Sequence, residues 1–243
     1  LNNYAKNFTG MMEGYNRSDL LQRKQQLEKD LQAWIEANPE ASKQYASVIS
    51  DLQKLITEKQ STQERDLLLG YMNYSAMLSA AQRLYRLSLE KQKPNMEREP
   101  GYQERDMTRF TESMKRIERN FAPSVDQAVW TYFIERYNAL PQEQHLQSFD
   151  NFFDGELSGD ALQQKLSAMY EKTGLTATEG RLAWMEKSPE DFRNSDDPFI
   201  QLAVATYDDR LAIEQHDKSM EGRFAEVRPK YMDLLIAYYQ EQG

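Results

Sequence analysis

Apolar residues recur at three- and four-residue intervals along almost the whole chain, which is the period of helices buried on one side. Residues 2–16 read as a first helix, weakened by the interior glycines Gly10 and Gly14. Ser18 is placed to cap a second helix carrying Leu20, Leu27, Leu31 and Trp34. Asn38-Pro39 ends that helix, because a residue before proline is pushed out of the α region. Tyr45, Val48, Ile49, Leu52, Leu55 and Ile56 mark one face of a third helix. Over 64–91 the apolar positions go most of the way round, from Leu67 to Leu87, so this stretch is expected to be the central, buried helix.

A charged connector follows over 92–103. Met107, Phe110, Met114, Ile117 and Phe121 then resume a 3-4-3-4 stripe, and Pro123 opens a helix bearing Trp130, Phe133 and Tyr137. From 142 the pieces shorten, to 142–153, 158–173, 176–187 and a turn at 189–193. Ser158 and Thr176 both suit helix starts, and only Thr176, with Glu179 three residues on, fits a capping box. A long helix or helix pair is expected from Pro198 to about Gln240, with a break near Gly222 or Pro229. No hairpin signal or fixed-period repeat interrupts the pattern. The expected fold is therefore all-α: a bundle-like domain of about nine to twelve helices, without a sheet, over residues 1–243. A smaller lobe is allowed over 142–194.

Composition narrows the function classes. A net charge of −9 argues against nucleic acid as a partner, since such proteins present a basic face. No apolar run is long enough to span a bilayer. The absence of cysteine excludes disulfides, Cys-zinc sites and thiol catalysis. The opening LNNYAKN reads as the interior of a longer protein rather than as a leader.

The two histidines, His145 and His216, lie in no metal-ligand pattern: Gln142 and Ile213 stand where a Glu-x-x-His site needs its carboxylate. Leu157-Ser158-Gly159-Asp160 suits a helix cap better than a nucleophile turn. The acidic pairs Asp196-Asp197, Asp208-Asp209 and Glu190-Asp191 suit solvated faces, because adjacent helical positions point about 100° apart. No nucleophile, metal site, phosphate loop or cofactor site is expected within these residues.

Two stretches carry a resemblance. Asn3-Tyr4-Ala5-Lys6-Asn7 precedes Gly10-Met11-Met12-Glu13-Gly14, and the connector reads Glu97-Arg98-Glu99-Pro100-Gly101-Tyr102-Gln103-Glu104-Arg105-Asp106. With Ser195–Phe199 and Arg228–Met232, these resemble the bacterial serine dipeptidyl-peptidases typified by dipeptidyl-peptidase 7 and dipeptidyl-peptidase 11. Ala5 departs from the pattern, since an aromatic residue is usual there.

In that family an all-helical domain interrupts a chymotrypsin-like double β-barrel. The resemblance implies that this chain is the helical insert, which covers the active-site cleft of an enzyme removing dipeptides from peptide N-termini. The Ser-His-Asp triad and the pocket for the side chain before the cut bond would both lie on the barrel, leaving this chain alone inactive. Asn3 and Asn7, one helical turn apart, are the candidates for holding the substrate's α-ammonium. Tyr102, as anchor of the connector, and Arg105 are candidates for contact with another part of the parent enzyme. The implied partners are the peptide N-terminus, the enzyme's own barrel and a second copy of the parent in a homodimer. The implied location is the periplasm or cell envelope. From the residues alone, a free-standing helical module presenting a groove to a protein partner remains the alternative.

Overall fold

The computed structural model describes residues 2–155 and 157–242, apart from the side chains of Asn2, Tyr4 and Asn120. Leu1 of the opening LNNYAKN lies outside the described residues. The chain is all-α, with no strand among the described residues. In chain order the helices are α1 (Asn2–Arg17), α2 (Leu20–Ala37), α3 (Pro39–Tyr45), α4 (Val48–Met72) and α5 (Ala76–Glu90). After the connector come α6 (Met107–Asn120), α7 (Pro123–Asn138), α8 (Gln147–Phe153), α9 (Gly159–Lys172) and α10 (Thr178–Trp184). The last three are α11 (Pro189–Arg193), α12 (Pro198–Ala205) and α13 (Tyr207–Gln242).

Several local expectations need correction. The stretch 64–91 is the end of α4 and the whole of α5, separated at residues 73–75. Tight bonds from Asn73 N to Gly70 O and from Tyr74 N to Tyr71 O close α4. Ser75 then turns extended and caps α5 by accepting from Leu78 N. The C-terminal helix breaks at Thr206, whose amide and hydroxyl both donate to Leu202 O, and not at Gly222 or Pro229. α13 continues through Pro229 on an exposed stretch, where water can reach the carbonyl of Ala225 left without its intrahelical donor. Ser18 donates to Tyr15 O at the end of α1, and Asp19 occupies the cap position of α2. Ser158 sits at the cap of α9 without bonding through its side chain. No capping box forms at Thr176, whereas Ser188 and Asp191 form one at the start of α11. Thirteen α-helices are present among the described residues.

The chain divides into two compact units, one of residues 1–60 and 217–243, the other of residues 61–216. In the first, Leu31 and Ile35 of α2, Tyr45 of α3, Val48 and Ile49 of α4 and Leu234 of α13 form a core. Asn38 connects α2 to α3: its side-chain oxygen accepts from Glu40 N and Ala41 N, while Pro39 occupies the first helical position, where its missing N–H costs nothing. Trp34 Nε1 donates to Glu241 Oε2 at 2.7 Å, and the pairs Lys59–Asp217 and Arg223–Glu58 tie α4 to α13 within this unit.

The second unit is built round α5, which buries ten of its fifteen residues. Leu84 and Leu87 join Trp130, Ile134, Phe153, Leu166, Phe192 and Phe199 in one continuous core. Each large side chain buried there stabilises the fold by about 1.5–3 kcal/mol. Residues 142–194 contribute Phe149, Phe153, Leu162, Leu166, Leu175 and Phe192 to that same core.

Two buried polar groups fix the register. Asp126 of α7 accepts from Ser75 Oγ at 2.9 Å, from Ala76 N at 2.6 Å and from the hydroxyl of Tyr170 at 2.6 Å. A carboxylate thus sits on the positive N-terminal end of α5. Arg181 of α10 is wholly buried, with no carboxylate in hydrogen-bond contact among the described residues. It donates instead to the carbonyls of Leu175 and Thr176 at the end of a short 3-10 turn, to the carbonyl of Met114 within α6 and to Thr178 Oγ1. Burial lowers the pKa of its guanidinium, and Glu118 and Glu179 offset part of that shift.

Candidate functional site

The N-x-x-x-N spacing of α1 puts Asn3 and Asn7 about 40° apart on the helix surface, with both side chains exposed. Gly10 and Gly14 continue the same stripe, since positions 3, 7, 10 and 14 fall within about 60° of arc. A methyl group built on either glycine would meet nothing within 4 Å. The stripe is therefore a shallow strip of amides and bare backbone open to an approaching group. An exposed asparagine amide offers one acceptor oxygen and two N–H donors, without charge. In the sequence these glycines mark weak points of the helix, and the spacing alone aligns them with the asparagines.

The connector is held in place by its own polar groups. Asp106 Oδ2 accepts from Gly101 N at 3.0 Å and Gln103 N at 3.3 Å. Asn95 Oδ1 accepts from Glu104 N, and the buried Glu90 carboxylate accepts from Glu99 N and pairs with Lys93. Gly101 sits at φ +94°, where a side chain would be strained. The Tyr102 ring lies 5.9 Å from that of Phe110, with the Arg86 guanidinium 5.6 Å from its centroid. Burial raises the Tyr102 phenol above its ordinary range, while Arg86, Arg83 and Arg210 pull it back. Arg86 is itself forked onto Glu214 at 2.5 and 3.2 Å, which strengthens its hold on its proton. Tyr102 thus anchors the connector to α5 and α6 of its own unit, whereas Arg105 stands exposed on a short 3-10 turn.

One histidine sits next to a carboxylate. His145 Nδ1 is 3.0 Å from Asp150 Oδ2, and Tyr137 OH shares Asp150 while accepting from Leu146 N. In a Ser-His-Asp relay the other ring nitrogen faces a nucleophile. Here Nε2 lies 3.2 Å from the carbonyl oxygen of Leu140, and the ring packs 4.7 Å from that of Tyr137. The pair is closed on both sides and fastens the α7–α8 turn. Burial, foremost, and the neighbouring Asp150 raise the Tyr137 phenol well above its ordinary range. His216 lies on α13 with no carboxylate in an ion pair with it among the described residues. No group of three or more His, Asp or Glu side chains is arranged to hold a metal among the described residues. No helix there is long and apolar enough to cross a membrane.

The comparisons with known proteins agree with the residue patterns. The family model described as Peptidase S46 matches residues 1–243. An Asp/Glu-specific dipeptidyl-peptidase of Shewanella putrefaciens (strain CN-32 / ATCC BAA-453) is 36% identical over 238 residues, which cover 98% of this chain. The chain spans 32% of that relative's length. With a family match along its whole length, the chain belongs to peptidase family S46.

Proposed function

We propose that these residues are the substrate-gating helical domain of a serine dipeptidyl-peptidase, inserted in a longer polypeptide whose triad lies outside them. The observation that carries this reading is the 36% identity, along 98% of the chain, to an Asp/Glu-specific dipeptidyl-peptidase three times as long. The closed His145–Asp150 pair, which faces a carbonyl rather than a nucleophile, supports assigning the chemistry elsewhere. In this reading the domain covers the cleft, and Asn3 or Asn7 accepts a hydrogen bond from the substrate's α-ammonium. A dipeptide spans at most about 7 Å. An acceptor held at that distance from the nucleophile therefore selects cleavage after the second residue. The exposure of both asparagines on one face supports their availability for this contact. An extracytoplasmic location, with peptide N-termini and the enzyme's own barrel as partners, belongs to the same reading.

The test uses the complete polypeptide and chromogenic dipeptidyl substrates with Asp, Glu or an apolar residue before the cut bond. Losing a hydrogen bond to a charged group costs about 1.5–3 kcal/mol, or roughly ten- to hundredfold in kcat/KM. Asn3→Ala or Asn7→Ala should impose that loss on free N-termini and leave the slow cleavage of N-acetylated substrates nearly unchanged. The 243-residue chain alone should turn over none of them. If neither substitution alters the discrimination between free and acetylated N-termini, the asparagines do not bind the ammonium.

A further inference from the structure

Every described side chain of α1 is exposed, from Asn3 through Arg17, although the helix is plainly amphipathic. Its surface divides into three stripes at about 100° per residue. Phe8, Met11, Met12 and Tyr15 occupy one arc of about 100°. Lys6, Thr9, Glu13, Asn16 and Arg17 occupy a second, where Arg17 lies 3.6 Å from Glu13. The asparagine–glycine stripe fills the third, between the other two. An isolated helix of sixteen residues is marginal in water, and two interior glycines weaken it further. Nothing in the described residues buries the apolar arc, with Phe8 67% and Met11 71% exposed. Four large apolar side chains on one arc, with all the charges kept off it, fit a face made to be covered.

We infer that the Phe8–Met11–Met12–Tyr15 face of α1 docks on the remainder of the same polypeptide, the part lying outside these 243 residues. This rests on the reading that the chain is one domain of a longer peptidase. The length of the relative favours that occupant, since these residues match only 32% of it and more than twice as much chain lies outside. Seating α1 this way turns Lys6, Glu13 and Arg17 towards solvent. It leaves Asn3, Asn7, Gly10 and Gly14 along the edge of the seam, beside the surface that α1 covers. Docking thereby fixes the direction in which the two asparagines point. The apolar face would be what positions them.

Methionine oxidation of the unmodified complete polypeptide tests this without any mutation. Met96, 84% exposed, and Met77, fully buried, are internal references. Brief hydroxyl-radical footprinting with mass spectrometry should oxidise Met11 and Met12 at least fivefold more slowly than Met96. Oxidation of Met11 at the rate of Met96 would overturn the proposal. So would protection that disappears on dilution as the particle mass falls from dimer to monomer, because a second copy would then be the cover. A cysteine series resolves the face: Met11→Cys and Tyr15→Cys should react with maleimide at least tenfold more slowly than Thr9→Cys and Lys6→Cys. Equal rates at the four positions overturn the orientation. These readouts do not depend on turnover, so they stand apart from the fate of Asn3→Ala and Asn7→Ala.

Discussion

α5 and α1 differ by one residue in length, and both carry an apolar face, yet their surroundings are opposite. α5 buries ten side chains and begins on a carboxylate supplied by α7, whereas every described side chain of α1 is exposed. Amphipathicity alone therefore does not say whether a helix serves its own core or a partner. The difference lies in the rest of the sequence. α5 is free of glycine and its start is fixed by Ser75 and Asp126, while α1 carries Gly10 and Gly14 and has no buried anchor among its described side chains. Where a core helix does carry glycine, as at Gly180 of α10, packing uses it, since a Cβ there would meet Gly174 O; Gly10 and Gly14 of α1 serve no such contact within this chain.

The largest test of this contrast is truncation on each helix. Leu84→Ala removes a fully buried side chain of α5 and should cost about 2–5 kcal/mol. Asp126→Ala strands the donors of Ser75, Ala76 and Tyr170 and should cost about 3 kcal/mol. Met11→Ala on α1 should change the stability of the 243-residue chain by less than about 0.5 kcal/mol. Urea denaturation measures all three. A cost at Met11 comparable to that at Leu84 would mean that α1 is packed against its own chain, and the contrast would be lost.

A smaller effect concerns pH. Burial, then Asp126 nearby, holds the Tyr170 phenol well above its ordinary value of 10.0, and burial does the same for Tyr137. In the unfolded chain both phenols lose their protons from about pH 10, whereas in the folded chain they keep them. The raised folded-state values therefore add stability that is fully present below pH 10 and declines above it. The loss is up to about 1.4 kcal/mol per pH unit for each phenol. Tyr170→Phe lowers stability at neutral pH by removing the bond to Asp126, but its curve should fall less steeply between pH 10 and 11.5. Parallel curves for the two proteins would show that the hydroxyl at the start of α5 is not held as described.

Much of this molecule was legible in the sequence wherever local chemistry decided the outcome. The all-α class, the central burial of residues 76–90 and the Asn38-Pro39 junction all follow from helical spacing and capping rules. What stayed hidden depends on groups far away in sequence. The split of 64–91 is set at Ser75 because Asp126, 51 positions on, binds both its hydroxyl and the next amide. Arg181 reads as an ordinary surface cation, yet it is the donor for the carbonyls of Met114, Leu175 and Thr176. Neither Gly222 nor Pro229 breaks α13: glycine keeps its N–H and costs only about 1 kcal/mol, and at exposed Pro229 solvent can satisfy the carbonyl left without a donor. At the candidate site, the asparagines came from a recurring motif and the glycine stripe from simple spacing. The separation of the three stripes on α1 carried meaning only once its side chains were seen to be exposed.

The smallest expected effect is the sharpest for that stripe. Gly10→Ala adds a methyl group where nothing lies within 4 Å, so it brings no clash to the 243-residue chain. Alanine favours a helix interior over glycine by about 1 kcal/mol. Amide exchange within α1 should therefore slow by about fivefold, with the urea midpoint hardly moved because α1 contributes no described buried side chain. In the complete polypeptide the same methyl lies one turn from Asn7, on the strip beside the apolar seam. If the substrate's N-terminus approaches the helix along that strip, a stiffer but more crowded α1 should lower kcat/KM by roughly two- to tenfold, up to about 1.4 kcal/mol. Slower exchange with unchanged kcat/KM would show that Gly10 only weakens the helix, and Asn3 and Asn7 would then have to work without close approach to its backbone. Exchange slowed in the 243-residue chain but unchanged in the complete polypeptide, together with a fall in kcat/KM, would instead indicate that α1 is held rigid by its cover there, which is what docking through Met11 and Tyr15 requires.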